Sequence, residues 1–146
     1  MSEHLDYTYI AGLFDGDGSV WIHSAESHSA RFHARVSITN TYLPILLSLQ
    51  AQFGGRIYEN TSARQRKKRI FSWHITNKVE LCTFLVAICP HVVIKRSRVE
   101  YAIALASLVG PQGIKTSPDT LDEREALSAA ITILNAEPPG TELKGE

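Results

Sequence analysis

Cysteine is scarce in this sequence, with only Cys82 and Cys89 among 146 residues. They stand seven apart in an apolar stretch, which puts them on one helical face and predicts buried free thiols. Both a disulfide framework and a zinc site need more cysteines at other spacings. No run of 18 apolar residues is present and no leader peptide opens the chain, so it reads as soluble and intracellular, with no membrane partner. Internal repeats and low-complexity blocks are absent too. The length is that of one domain, and a domain this size buries ~68% of its unfolded surface, enough for an ordinary core. The domain is expected over residues 1–137. A tail over 138–146 opens with Pro138-Pro139-Gly140 and is expected to fray.

Net charge is lacking as well, since fifteen Lys and Arg balance fifteen Asp and Glu. The distribution is uneven, however. Residues 18–115 carry thirteen cations against four acids, and residues 117–146 carry two cations against seven acids. The first 17 residues hold the other four acids and no Lys or Arg. Ordinary solvated charge would mix the signs more evenly. A basic middle beside acidic ends fits a chain that turns one face to phosphate.

Two periodicities alternate along the chain. Tyr7 to Phe14 is apolar with small residues and reads as a short helix broken at Asp15-Gly16-Asp17-Gly18. Ser19 to Ala25 and Arg31 to Thr39 have period two and read as strands joined by a polar loop. Tyr42 to Phe53 has helical spacing and stops at Gly54-Gly55. Arg56 to Asn60 and Arg69 to Ile75 form a second strand pair around a basic loop. Helices follow over Val79 to Ile88, Ile94 to Leu108 and Leu121 to Asn135, the last capped by Asp119 or Thr120. The order predicts an α+β fold, αββαββαα with one further C-terminal helix. It gives a four-stranded antiparallel sheet with helices on one face and a polar face left open.

The stretch Ile10-Ala11-Gly12-Leu13-Phe14-Asp15-Gly16-Asp17-Gly18 needs an explanation. It ends a helix with two acids on a glycine-flanked turn. Small residues such as Ala11 and Gly12 let two such helices approach closely. If the second helix comes from another copy of the chain, a two-fold axis brings carboxylates together. Close carboxylates repel unless a cation lies between them. Their all-oxygen chemistry suits Mg²⁺ or Ca²⁺ and matches metal-assisted phosphodiester cleavage.

This nonapeptide resembles the signature of the LAGLIDADG homing endonucleases, and the element order resembles that family's fold over nearly the whole chain. Cys89-Pro90-His91-Val92-Val93-Ile94-Lys95 is similar to the family stretch leading to an active-site lysine. Lys115-Thr116-Ser117-Pro118-Asp119 is similar to the loop before the last helix of single-motif members. The resemblance implies a homodimeric endonuclease that cuts double-stranded DNA at a long near-palindrome, leaves 3′ overhangs and serves intron homing. It implies Mg²⁺ as cofactor, with Ca²⁺ or Mn²⁺ able to occupy the same sites, and no small-molecule substrate. Asp17 is then the metal ligand, helped by the carbonyl of Gly16. Asp15 is structural, holding the helix end at the dimer interface with Ala11 and Gly12. Lys95 is the basic catalytic residue and Asn40 positions the attacking water. The family's arginine soon after that position is missing, and Tyr42, Leu43 and Pro44 stand in its place.

The polar face of the sheet is the expected DNA reader, since a curved ribbon enters the major groove. Trp21 and His23 belong to it on the first strand, and Arg31, His33, Arg35 and Ser37 on the second. Arg56, Tyr58 and Asn60 follow on the third, and Arg69 on the fourth. The loop cations Arg64, Arg66, Lys67 and Lys68 grip phosphate. Plainer readings stand beside these. Asp15-x-Asp17-x-Ser19 mimics a calcium loop, but Val20 occupies the position where that loop needs glycine. Lys95, Arg96 and Arg98 are by default the solvated side of a helix. His23 and His33 lack a third metal ligand. Trp21 and Trp73 read equally well as sheet packing. The rival of another class is a non-cleaving binder, such as an RNA splicing maturase or a DNA-binding regulator.

Overall fold

The structure, a computed structural model, describes residues 4–23, 33–60, 69–108 and 118–136. Chain order runs α1 (Tyr7–Asp17), β1 (Gly18–His23), β2 (His33–Asn40), α2 (Leu43–Phe53), β3 (Arg56–Glu59), β4 (Phe71–Ile75), α3 (Lys78–Ile88), α4 (Arg96–Ser107) and α5 (Pro118–Ala136). A single 3₁₀ turn, Cys89–His91, joins α3 to the segment before α4. The expected αββαββαα order with its additional helix is therefore present. The sheet is antiparallel with strand order β1-β2-β4-β3.

Local chemistry explains the ends. Asp6 caps α1 through its carboxylate and the Thr8 N–H, and Asn77 caps α3 through the N–H groups of Val79 and Glu80. Gly54 and Gly55 stop α2 at φ 85° and 86°, a region open to glycine at little cost. Several boundaries differ from expectation by a few residues, three of them at helix ends with a plain local cause. The first helix runs on through Asp17, since the Gly18 N–H still bonds to the Phe14 carbonyl. The fourth begins at Arg96 because Lys95, at φ −103° and ψ 20°, gives its N–H to Asp15. The last begins at Pro118, a residue suited to a first helical turn, so Asp119 and Thr120 lie inside the helix. The two cysteines are free as expected. Both are half-buried, and Cys89 has left the helix, so they do not share one helical face.

Alternation along the strands sends Val20, Val36, Ile38, Trp73 and Ile75 to one side, where each is buried. Helices α1, α2 and α4 pack against that side, and α5 lies along β1 and α4. The core centres on aromatic edges, with Phe84 at 5.0 Å from Trp73, 5.1 Å from Phe53 and 6.1 Å from Phe14. Each such side chain contributes about 1.5–3 kcal/mol on burial. The Trp73 indole N–H bonds to the Gly54 carbonyl at 2.8 Å, so its polar atom is satisfied as well. Among the described residues no helix is long and apolar enough to cross a membrane.

Candidate active site

The C-terminal end of α1 brings together residues from three parts of the chain. Its two acids have different employment. Asp15 is half-buried, and both its oxygens are taken by backbone, with the Val93 N–H at 2.8 Å and the Lys95 N–H at 3.0 Å. It ties the segment before α4 to α1. Asp17 is exposed, and its Oδ2 receives the Asn40 amide at 3.2 Å. Asn40 accepts the Tyr42 N–H at 2.8 Å on its own Oδ1, which fixes which way the amide points. One amide N–H remains for another acceptor.

Lys95 lies across the same helix end. Its Nζ donates to the carbonyls of Gly18 at 2.5 Å and Phe14 at 3.3 Å, and sits 5.8 Å from the Phe14 ring centre. Burial lowers its pKa below the ordinary lysine value, and the Arg98 charge lowers it further. Asp15 and Asp17 oppose that shift. The geometry departs from a solvated helix face. Arg98 donates to Asn135 Oδ1 at 3.1 Å and to the Leu134 carbonyl at 2.7 Å, and Asn135 in turn donates to the Val20 carbonyl at 2.8 Å. Arg96 folds back onto the carbonyls of Val92 and Pro90. Thus α5 latches α4 to the edge strand β1, a connection between residues distant in sequence that periodicity does not reveal.

The donor chemistry at this end suits a hard cation. Asp17 offers an exposed carboxylate with one oxygen on the Asn40 amide, and the Gly16 carbonyl lies in the last helical turn, where carbonyls lack intrahelical partners. The negative end of the helix dipole adds attraction for positive charge. Among the described residues no three His, Cys, Asp or Glu gather as a metal cluster. The outward side of α1 is open. A Cβ added to Gly12 or Gly16 would meet nothing within 4 Å. Tyr9 is exposed on the same helix, as are Val93 (79%) and Ile94 beside it. Ala11 is a correction. It is fully buried in its own chain's core and does not face outward with Gly12.

The other side of the sheet carries most of the expected readers. Register aligns Ser19, Ser37, His74 and Arg56 across the four strands, with Trp21 opposite Arg35 and Tyr58 opposite Ser72. Trp21 and Tyr58 are exposed there, and Arg35 and His33 are half-exposed. Asn60 follows Tyr58 with its N–H on the Ile70 carbonyl. His23 stands opposite His33. Two placements differ from expectation. Ser37 is on this side but only 7% exposed, hemmed in by its neighbours on the central strand. Arg69 has the parity of Phe71, which its guanidinium covers at 5.1 Å, and forms a two-pronged ion pair with Glu59 at 2.7 and 2.9 Å. It therefore belongs to the side opposite Arg56 and Tyr58. The expected contacts Arg31, Arg64, Arg66, Lys67 and Lys68, and the side chain of His23, lie outside the described residues.

His74 and Ser72 on the open face were not among the expected readers. The signal for them is the alternation of Phe71, Trp73 and Ile75, which sends the residues between to the other side. His74 stacks on Tyr58 with ring centres 5.1 Å apart, and burial with the nearby Arg35 charge lowers its pKa. The strand at Gly18–His23 also removes the calcium-loop reading, which needs a tight turn there.

Similar architecture occurs in solved structures. The homing endonuclease I-CvuI in complex with the I-CreI target superposes with a TM-score of 0.74 at 18% identity, over 91% of this chain and 83% of that one. The archaeal intron-encoded homing endonuclease I-Vdi141I complexed with DNA gives 0.72 at 19%, over 87% and 82%. I-SmaMI bound to an uncleaved DNA target with calcium gives 0.68 at 21%, over 88% of this chain and 45% of that longer one. Among curated proteins no sequence matches it. The model of the family described as LAGLIDADG endonuclease matches residues 10–99, a span from the core of α1 to the first turn of α4, and the chain belongs to that family.

Proposed function

We propose that the chain is a site-specific double-strand DNA endonuclease of the homing type. It acts as a homodimer with Mg²⁺ on a long, near-palindromic site. The observation that carries this reading is the division of labour at the end of α1. Asp15 is consumed by backbone, whereas Asp17 stands exposed, aimed by Asn40 and close to Lys95. The open side of α1, with Gly12, Gly16 and the exposed Val93 and Ile94, supports a second copy there, which would complete the cation's oxygen shell. The DNA present in the structures of I-CvuI, I-Vdi141I and I-SmaMI supports the substrate class. Family membership carries the expectation of 3′ overhangs.

In this reading Asp17 and the Gly16 carbonyl hold Mg²⁺, with Ca²⁺ or Mn²⁺ able to take the same place. Mg²⁺, when bound, supplies Lewis-acid chemistry and a more acidic water. Asn40 orients the Asp17 carboxylate and keeps one N–H for water. Lys95 places a positive charge where negative charge develops on the phosphate. Asp15 holds the Lys95 backbone in position. The open sheet face binds the duplex.

The test is cleavage of a randomised duplex library with Mg²⁺ by the intact chain and by Asp17→Asn. The intact chain should cut a long near-palindrome. The variant should bind the same site while cleavage falls at least about 100-fold. If both bind nucleic acid and neither cuts, a splicing maturase or a DNA-binding regulator on this fold replaces the nuclease reading.

A further inference from the structure

A cavity of about 640 Å³ opens on the polar side of the sheet, lined by Arg35, Arg56, Tyr58 and His74, with Thr76, Asn77 and Glu80 also in its wall. It is remote from the chemistry. Arg35 precedes Asn40 by five residues of extended strand, about 16 Å at the usual rise. Its positive charge comes from two side chains, since Arg35 and Arg56 bring guanidinium forks that only donate. The Arg35 Nε is buried, with no hydrogen-bond partner among the described residues. The imidazole of His74 lies between strands carrying these two arginines, with Arg56 directly opposite it in register. The Tyr58 ring packs against it at a 50° tilt, with ring centres 5.1 Å apart. Burial, and then the Arg35 charge, hold the His74 pKa below its ordinary value, which favours the neutral ring with one donor and one acceptor nitrogen.

Resting on the DNA-cleaving reading above, we propose that this cavity takes the major-groove edge of a guanine and that His74, beside Arg35, is a specificity-determining residue. Guanine presents two acceptors there, N7 and O6, which match the guanidinium forks of Arg35 and Arg56. The amino groups of adenine and cytosine would point donors at those forks. The Glu80 carboxylate in the same lining is packed so closely on Gly54 that a Cβ there would collide with it. In a homodimer the preference appears twice, once in each half-site.

The experiment selects duplexes from a randomised pool by binding in Ca²⁺. It uses the intact chain, His74→Ala and His74→Gln, each checked for folding by thermal melting. The intact chain should select guanine at one symmetric pair of positions. His74→Ala should weaken discrimination there by roughly 5- to 150-fold and leave other positions unchanged. Glutamine pairs with adenine in the major groove, so His74→Gln should shift the preference from guanine toward adenine. Should the alanine variant fail to fold, the glutamine variant carries the test by that shift. The inference is overturned if no such guanine pair is selected. It is overturned equally if the variants keep the intact chain's preferences, or weaken all sequences alike. Failure of the intact chain to select any site would overturn the DNA-reading function itself, a result visible without the variants.

Discussion

The two sides of the sheet are made from the same strands and do opposite work. On the helix side, Trp73 is fully buried among phenylalanine edges with its indole N–H satisfied. On the open side, Trp21 is 52% exposed, opposite Arg35 and at the margin of the group that ends in Arg56 and Tyr58. One face is apolar, interlocked and intolerant of change in volume. The other is polar and held in place by the first. A reading surface needs side chains that are positioned yet not consumed by internal contacts, and a sheet anchored on one side supplies them.

Substitutions can break that contrast. Trp73→Ala should cost about 3–5 kcal/mol, read by denaturant unfolding, because it removes the largest core side chain and leaves a cavity. Gly18→Ala should come next, at about 1–3 kcal/mol. A Cβ there would lie 2.2 Å from the Phe14 ring and 2.6 Å from its carbonyl, although the backbone at φ −87° is ordinary. Asp15→Asn should cost a similar or smaller amount, about 1–3 kcal/mol, since the amide can accept only one of the N–H groups of Val93 and Lys95 without turning its own donors toward the other. It should also slow cleavage by loosening Lys95, whereas Trp73→Ala should act on stability alone. Trp21→Ala sharpens the comparison from the other side. Its stability should change by no more than about 0.5 kcal/mol, while duplex affinity falls. A titration of DNA binding beside a melting curve checks both halves.

The smallest expected effect is a pH dependence. The folded chain depresses the His74 pKa, by burial first and by the Arg35 charge second, and the titratable and charged groups lining the same cavity are Arg35, Arg56, Tyr58 and Glu80. The unfolded chain therefore takes up the proton at higher pH. The His74 contribution to stability is present above the ordinary histidine value of ~6.5 and is lost as pH falls from there through the folded value. His74→Gln should flatten the fall in melting temperature between about pH 7.5 and about pH 5. An unchanged slope would assign the acid sensitivity to other groups.

Much of this is legible in the residues. The alternation of Arg35, Val36, Ser37 and Ile38 marks a strand with two unlike faces, and Gly54-Gly55 marks the end of α2. The acid pair near Gly16 is visible as an oddity because helices seldom end in two carboxylates, which oppose the helix dipole. Parity also fails in places. Ser37 keeps the parity of a reader but is recessed by central-strand neighbours. Arg69 does follow parity, but to the side of Phe71, where its ion pair with Glu59 holds it. Ala11 and Gly12 are adjacent and equally small, yet a helix turns adjacent residues by about 100°, so one faces the core and the other solvent.

By itself the sequence determined the element order, the apolar and polar sides of the strands and the presence of two acids at the end of α1, because these depend on local periodicity and capping. The resemblance of the motif assigned Asp17 as ligand and Asp15 as structural, and only the tertiary structure decided what each acid touches. Asp15 meets the backbone of residues some 80 positions away, and no local pattern encodes which backbone donors will arrive at a helix end. The same holds for the latch from Arg98 through Asn135 to Val20 and for the gathering of Arg35, Arg56 and His74 around one cavity. Each joins residues that the packing of the core, and not their own spacing, brings within reach.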